Sequence, residues 1–140
     1  MAFKLFLDAN VCLQFLLQRK GFESSELLFE KIVTGEFKAH TSPAIVHIIA
    51  YFLAKVHKNE IVKILILNLL ANVRIIDCNH ETTINAINSQ MKDIEDALQY
   101  YTAMHHKMDY FISLDQKLIK LAIPILPIYS PEDFLKEFND

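Results

Sequence analysis

The sequence predicts an α/β fold, a three-layer α/β/α sandwich around a five-stranded, mostly parallel sheet. The first indication is the apolar run Leu5, Phe6 and Leu7, which lacks polar alternation, as expected of a parallel strand covered on both faces. The second is that short apolar segments alternate with longer segments of helical periodicity along the chain. The third is composition, because 52% of residues are hydrophobic and only 2 Gly and 4 Pro occur among 140 residues. Such a composition excludes a disordered or low-complexity chain.

The first half of the chain predicts two strands and four helices. The first strand begins at Phe3 and ends at Asp8. A helix over residues 10–20 is largely apolar and stops near Gly21, since glycine commonly ends helices. The next elements, in chain order, are a helix from Ser24 or Ser25 to Gly35, a strand at 37–40, a helix capped by Ser42 that begins at Pro43 and ends near residue 56, and a helix capped by Asn59 that ends near residue 71.

The second half predicts three more strands and four more helices. A β-branched run at residues 73–76 predicts a strand, after which Asp77 and Asn79 turn the chain into a helix at 80–89. The remaining elements are a longer helix at 93–107, a strand at 110–112, a short helix after Asp115, a strand at 125–128 and a capped helix from Ser130. Strands that alternate with helices in this way favour parallel pairing.

Length and charge predict a single domain over residues 1–140, since this is the usual size of one domain. The net charge is −3, from 14 basic and 17 acidic residues, so the overall charge does not indicate a polyanion-wrapping protein. No run of 18 apolar residues and no secretory leader occur in the sequence, which predicts no membrane span. Cys12 and Cys78 are too few for a disulfide framework, and we expect a reducing, cytoplasmic setting.

Several acids follow the predicted strands or begin the predicted helices. Asp8 ends the first strand, Asp115 follows the strand at residues 110–114, and Asp93 and Asp96 lie in the first turn of a helix. In a parallel α/β sheet functional groups gather at the carboxyl ends of the strands, so we expect these acids at one edge. Asp93 and Asp96 are three residues apart and share a helix face, which leaves Glu95 pointing elsewhere.

Each of these acids, taken alone, has a structural explanation as the cap of a helix or, for Asp96, as an acid in the first turn of a helix. Asp8, Asp93 and Asp115 all stand where an N-cap is expected. Taken together they indicate more, because several carboxylates at one place repel one another unless a cation neutralises them. Oxygen ligands with room for water suit Mg²⁺ or Mn²⁺. The sequence therefore predicts a metal site formed by Asp8, Asp93, Asp96 and Asp115.

Three segments also carry a resemblance to a known family. They read Leu-Phe-Leu-Asp-Ala-Asn-Val at 5–11, Lys-Asp-Ile-Glu-Asp-Ala-Leu-Gln-Tyr-Tyr-Thr-Ala at 92–103 and Asp-Tyr-Phe-Ile-Ser-Leu-Asp at 109–115. In order and spacing the chain resembles, over nearly its whole length, the PIN domain, the ribonuclease fold of many bacterial VapC-like toxins. The resemblance implies that the acidic metal ligands and catalytic residues are Asp8, Asp96 and Asp115, that Asp93 is an additional ligand, and that Asn10 and Ser113 are polar positions beside them and candidate substrate-binding residues.

The activity implied by this resemblance is the Mg²⁺- or Mn²⁺-dependent hydrolysis of RNA by a metal-activated water. The aspartates hold the ion, and whether one ion or two take part stays open. The resemblance further implies a toxin of a toxin–antitoxin pair, with an antitoxin protein as partner and a homodimer as the assembly. Six lysines are candidates for a phosphate-steering rim, although none is assigned to the site: Lys20, Lys38, Lys55, Lys58, Lys92 and Lys117.

The sequence departs from the family pattern in the helix that follows the second strand. The family usually supplies a glutamate there, whereas this helix reads Ser-Pro-Ala-Ile-Val-His-Ile-Ile-Ala-Tyr from Ser42 and contains no carboxylate. Counting from Ser42 puts Ile48 at the expected position, and a shift of one residue puts His47 there. The alternative function is therefore a catalytically weak or inactive PIN-like module that binds RNA or a protein. Phe22, Tyr51 and Phe52 belong either to an interface or to the core.

Overall fold

The computed structural model describes residues 2–138, which form five strands and eight helices. In chain order these are β1 (Phe3–Leu7), α1 (Ala9–Leu16), α2 (Phe22–Val33), β2 (Phe37–Thr41), α3 (Pro43–Leu53), α4 (Asn59–Leu70), β3 (Val73–Ile75), α5 (His80–Asn88), α6 (Ile94–His105), β4 (Tyr110–Ile112), α7 (Gln116–Lys120), β5 (Ile128–Tyr129) and α8 (Pro131–Phe138). Within this range no helix is long and apolar enough to cross a membrane.

The strands form one sheet in the order β3-β2-β1-β4-β5, and every pair is parallel. The predicted α/β sheet is confirmed. β1 is the central strand, with Leu5 paired to Ala39 of β2 and to Tyr110 of β4. Because the carboxyl ends of parallel strands share an edge, the residues that follow β1, β2 and β4 lie side by side.

Aromatic side chains show that helices cover both faces of the sheet. On one face Phe6 stacks on its register neighbour Phe111 with ring centroids 5.0 Å apart, and Tyr100 of α6 contacts Phe111 at 5.7 Å. On the opposite face Phe37 of β2 meets Phe134 of α8 at 5.0 Å. Offset and tilted pairs of this kind stabilise a core beyond the area they bury. The three-layer arrangement is therefore built from α6 and α8 on opposite sides of one sheet.

The element boundaries differ from the expectations in four places. α2 begins at Phe22 with Gly21 as its N-cap, so the expected start at Ser24 or Ser25 is wrong. α1 ends at Leu16 because Gln18 adopts a positive φ of 51°, which a helix cannot accommodate. The cap of α4 is Lys58, with no side-chain hydrogen bond, so the expected Asn59 cap is wrong. β5 is only Ile128–Tyr129, since Ile123 and Leu126 pair with each other in a local antiparallel bridge.

Candidate functional site

Asp8 lies at the carboxyl edge of the sheet, directly after the central strand. Its backbone N–H donates to Ile112 O at 2.9 Å, which extends the β1–β4 ladder by one step. Its φ of −72° and ψ of 158° are extended, as is usual for the residue that caps a helix. Its Oδ1 accepts a hydrogen bond from Ala9 N at 2.9 Å. Asp8 is thus the N-cap of α1, and the capping bond fixes the direction of the carboxylate.

Ser113 links the ends of β1 and β4. Its side chain is fully buried, and its hydroxyl donates to Asp8 Oδ2 at 2.8 Å. The same Oγ accepts hydrogen bonds from Asp115 N at 3.1 Å and from Asn10 Nδ2 at 3.3 Å. Asn10 in turn accepts from Leu114 N at 3.1 Å through its Oδ1. Ser113 and Asn10 therefore hold Asp8 against the segment that carries Asp115.

Asp93 and Asp115 are also helix caps, as Asp8 is. Asp93 Oδ1 accepts from Asp96 N at 2.9 Å at the start of α6. Asp115 Oδ1 accepts from Lys117 N at 2.9 Å and from Leu118 N at 3.3 Å at the start of α7. Within residues 2–138 no hydrogen bond reaches Oδ2 of either residue. Capping thus uses one oxygen of each carboxylate and leaves the other oxygen for a ligand.

A buried hydrogen bond joins α6 to the end of β2. Ser42, the N-cap of α3, donates through its hydroxyl to Gln99 Oε1. Both side chains are buried, and Gln99 lies one turn after Asp96 on α6. A side chain and the one three residues before it share a helix face. The first turn of α6 is therefore held beside the carboxyl edge of the sheet.

The charges of these acids act on one another. The pKa of Asp96 is raised to about 6, first by burial and then by the charges of Asp93, Asp8, Asp115 and Glu95. The pKa of Asp8 is raised as well, mainly by burial, although the hydrogen bonds from Ser113 and Ala9 oppose the rise. The charges of Glu95 and Asp115 raise it further. Acids from β1, α6 and the end of β4 thus share one electrostatic environment.

Glu95 is the residue of this cluster that sequence reasoning missed. The three-residue spacing of Asp93 and Asp96 predicted that these two side chains share a helix face and that Glu95 points elsewhere. The charge of Glu95 nevertheless raises the pKa of both Asp8 and Asp96. The spacing rule describes side chains that stack along a helix face. In the first turn, a long side chain can also extend past the end of the helix. The sequence signal for Glu95 was its place in the first turn of a helix whose other acids were expected near Asp8.

The donor chemistry of the cluster fits a hard divalent cation. All its groups are carboxylates, and the ion pairs within residues 2–138, Lys31–Glu36 and Lys136–Glu132, lie outside it. The charges that raise the pKa of Asp96 would be relieved by a cation. In the same range no group of three or more Asp, Glu, His or Cys side chains already has metal-site geometry. The assignment of Asp8, Asp93, Asp96 and Asp115 as metal ligands stays a prediction.

Comparison with known proteins decides the family. The sequence model of the PIN domain matches residues 4–117, which include all the acids of the candidate site. The chain belongs to the PIN domain family. No curated protein sequence matches it.

Solved structures of other PIN domain proteins share the fold. VapBC2 from Rickettsia felis bound to a promoter DNA fragment has a TM-score of 0.68 and 16% identity, covering 91% of this chain and 98% of that one. VapC20 from Mycobacterium tuberculosis, a sarcin-ricin loop cleaving toxin, has a TM-score of 0.67 and 9% identity, covering 85% and 95%. A toxin–antitoxin complex from Klebsiella pneumoniae has a TM-score of 0.68 and 16% identity, covering 91% and 97%. At these identities the likeness establishes the fold alone.

This PIN domain differs from the implied family pattern on α3. Ile48, at the position counted for the family glutamate, is half-buried and packs against the core. His47, the neighbouring candidate, is exposed. The first turn of α3 contains no acidic residue. If the site binds a metal ion, the carboxylates come from β1, α6 and the end of β4.

Proposed function

We propose that the chain is a metal-dependent endoribonuclease and the toxin of a toxin–antitoxin pair. The observation that carries this proposal is the electrostatic coupling of Asp8, Asp96 and Asp115, which come from three separate segments. Acids whose charges raise the pKa of neighbouring acids at the carboxyl edge of a sheet are typical of a functional site. Membership of the PIN domain family supports nuclease chemistry at this edge.

The metal ligands in this proposal are Asp8, Asp96 and Asp115, with Asp93 as an additional ligand. A bound Mg²⁺ or Mn²⁺ would supply Lewis acidity, which activates water and stabilises the charge that develops on a phosphodiester. The protein's own contribution is to fix the carboxylates by hydrogen bonds. Asp8 accepts from Ala9 N and from the Ser113 hydroxyl, and Asp115 accepts from Lys117 N. Preorganised ligands need no rearrangement when the substrate arrives.

Asn10 and Ser113 differ in how they could act. Ser113 is fully buried and already donates to Asp8, which favours a positioning role over direct contact with RNA. Asn10 is half-buried, and its amide contacts Asp8 Oδ2 at 3.5 Å. Asn10 is therefore the better candidate for contact with a substrate phosphate, because an amide N–H donates to anionic oxygen.

The biological role follows from the structural neighbours, as part of the proposal. Two of them are toxin–antitoxin assemblies and a third is an RNA-cleaving toxin. By analogy with these proteins, we propose an RNA substrate, an antitoxin partner, a homodimeric assembly and a cytoplasmic location for this chain.

The decisive experiment is cleavage of single-stranded RNA by the purified protein. Cleavage is expected with Mn²⁺ or Mg²⁺, and EDTA should abolish it. Asp8→Asn keeps the shape of the side chain and removes its charge, so the rate should fall about a thousandfold or more. Glu26→Gln is the matched control, since Glu26 is exposed in the middle of α2 and does not act on the pKa of Asp8 or Asp96. Equal cleavage by wild type and Asp8→Asn would indicate a contaminating nuclease and defeat the proposal.

Asp93 offers a second test, because its cap role and its charge can be separated. Asn caps helices about as well as Asp, whereas Ala costs about 1 kcal/mol. Asp93→Asn should therefore leave the melting temperature unchanged and weaken Mn²⁺ binding measured by calorimetry. If Asp93→Asn binds Mn²⁺ as wild type does, Asp93 is a cap only.

The second candidate function is a non-catalytic PIN module that binds RNA or a protein. The absence of a carboxylate on α3 favours it, since Ile48 packs against the core instead. No cleavage together with no detectable Mn²⁺ binding would select this function. Mn²⁺ binding that Asp8→Asn abolishes would exclude it.

A further inference from the structure

The turns that follow two packed helices carry basic residues, and neither the helices nor these turns carry acidic ones. Neither Asp nor Glu occurs between Ala9 and Phe22 or between Phe37 and Asn59, although the whole chain has a net charge of −3. These segments contain α1 and α3, which are in contact. Their basic residues near the far ends of the helices are exposed: Arg19, Lys20, Lys55 and Lys58. The turns after α1 and α3 thus form a cationic surface in an acidic protein.

Aromatic rings lie among these cations. Tyr51 is 58% exposed on α3, four residues after the exposed His47 and therefore on the same helix face. Lys55 Nζ lies 4.7 Å from the centroid of Tyr51 and 5.2 Å from that of Phe52. Arg19 Cζ lies 5.8 Å from the Phe52 centroid. We name these five residues, Arg19, His47, Tyr51, Phe52 and Lys55, the α3 track.

The turn that carries Arg19 is held in place by a buried amide. Gln14 donates through Nε2 to Lys20 O at 3.0 Å, and its Oε1 accepts from Ser25 Oγ at 2.9 Å. Gly21 has a φ of 86°, and a Cβ there would lie 3.0 Å from Gln14 Nε2. Only glycine adopts this conformation at no steric cost. The basic end of the track is therefore preorganised, which lowers the entropy lost when it binds an anion.

The α3 track begins close to the acidic edge. Asp8 caps α1 and Ser42 caps α3, so both helices start at the carboxyl edge of the sheet. At a rise of 1.5 Å per residue, His47 lies about 7.5 Å along the helix axis from Ser42. Ser42 bonds Gln99, one turn after Asp96. A strand of nucleotides bound at the acids can thus continue along α3.

We infer that the α3 track binds single-stranded RNA next to the acidic site, with a base stacked on Tyr51 and backbone phosphates on Arg19 and Lys55. This inference rests on the proposed function. Exposed aromatic rings beside cations are how proteins bind single strands without reading their sequence. A second copy of the chain is the less suitable occupant, because two-fold packing of this surface on itself would bring like charges together.

The test measures binding of a short fluorescein-labelled oligouridylate by anisotropy in EDTA over a range of salt concentrations. The double variant Arg19→Gln, Lys55→Gln should weaken binding at least tenfold and reduce the salt slope by about 1.4, since each cation on a single strand contributes about 0.7. Tyr51→Ala should weaken binding about fivefold or more with little change in slope, and Tyr51→Trp should restore it. Lys63→Gln, on the exposed side of α4, is the matched control and should bind as wild type does.

Two results would overturn the inference. One is a double variant that binds RNA with the affinity and salt slope of wild type, provided that circular dichroism shows both proteins folded. The other is that one of these variants has the sedimentation coefficient of a monomer where wild type has that of a dimer, while its RNA affinity is unchanged. That result would make the α3 track an interface between copies of the chain. Because EDTA removes divalent cations, binding is measured without cleavage. Cleavage is measured separately with Mn²⁺, so that loss of RNA binding by the double variant and absence of nuclease activity in wild type are distinguishable results.

Discussion

The Asp8 carboxylate serves the fold and the candidate site at once. One oxygen caps α1 and the other accepts the hydroxyl of Ser113. Hydrogen bonds to a carboxylate normally lower its pKa, yet the pKa of Asp8 is raised because burial and the charges of Glu95 and Asp115 outweigh them. The metal-free fold therefore contains negative charge that it does not fully neutralise. A cation at this place would remove that unfavourable repulsion.

Asp96 should make the stability of the metal-free protein depend on pH. The pKa of Asp96 in the folded state, about 6, lies above the ordinary aspartate pKa of 3.8, so the folded state binds the proton more tightly than the unfolded state does. The stability that this group contributes is therefore fully present below pH 3.8 and is lost as the pH rises through about 6. In urea titrations with EDTA, Asp96→Asn should be more stable than wild type at pH 7 and should lack this pH dependence.

The control for this comparison is Glu26→Gln, because Glu26 is an exposed acid in the middle of α2 that does not act on the pKa of Asp96. It should follow the wild-type stability curve at every pH. A loss of stability in Asp96→Asn at pH 7 would contradict the burial and the repulsion between carboxylates that raise the pKa of Asp96. Added Mn²⁺ should reverse the order of stability, since only wild type keeps the full set of carboxylates.

At the level of helices and strands, regular patterns were predictable and irregular ends were not. The apolar runs of β1, β2 and β4 and the cap of α3 at Ser42 follow from periodicity and side-chain chemistry. The early end of α1 depends on the turn at Gln18, which is stabilised by the hydrogen bond from the buried Gln14 side chain to Lys20 O. The shortness of β5 depends on a local bridge between Ile123 and Leu126. Contacts of this kind leave no periodic signal in the sequence.

The same distinction applies to the candidate site. Asp8, Asp93 and Asp115 were identifiable as caps because a cap is defined by its place in the chain. The influence of Glu95 was not, because it depends on how α6 lies against β1. The buried bond between Ser42 and Gln99 sets that placement, and it joins residues far apart in sequence. Sequence spacing alone could not reveal it.

Helix α3 can be used to test the missing carboxylate. Ile48→Glu should lower the stability of the metal-free protein by about 1–3 kcal/mol, because Ile48 packs against the core. If Ile48 occupies the family position, this variant should also bind Mn²⁺ about tenfold more tightly, since ligand charge sets affinity. Calorimetry and thermal melting measure the two effects.

His47→Glu is the matched comparison for that variant, because it adds the same charge one residue away at an exposed position. It should leave the stability of the metal-free protein nearly unchanged. Tighter Mn²⁺ binding by His47→Glu and not by Ile48→Glu would assign the family position to residue 47. No change in either variant would mean that α3 does not face the ion.

The molecule as a whole has opposite charges on neighbouring regions. Acids gather at the carboxyl edge, where Asp8 and Asp96 have raised pKa values, whereas the turns after α1 and α3 carry basic residues and no acids. The net charge of −3 averages over this separation and hides it. Cations on a surface beside a cluster of acids favour the approach of a polyanion and of metal ions to adjacent places. Local charge is thus a better guide to function here than net charge.

Metal binding should stabilise the entire fold, because the proposed ligands come from segments far apart in the chain. Asp8 follows β1, Asp96 begins α6 and Asp115 follows β4. The unfolded chain does not hold these carboxylates together, so the ion binds mainly the folded state. At a free Mn²⁺ concentration 100 times the dissociation constant, the free energy of unfolding should rise by about 2.7 kcal/mol. The measurement is the urea midpoint of wild type and Asp8→Asn with and without Mn²⁺. Only wild type should shift, and an equal shift in Asp8→Asn would show that Mn²⁺ binds elsewhere.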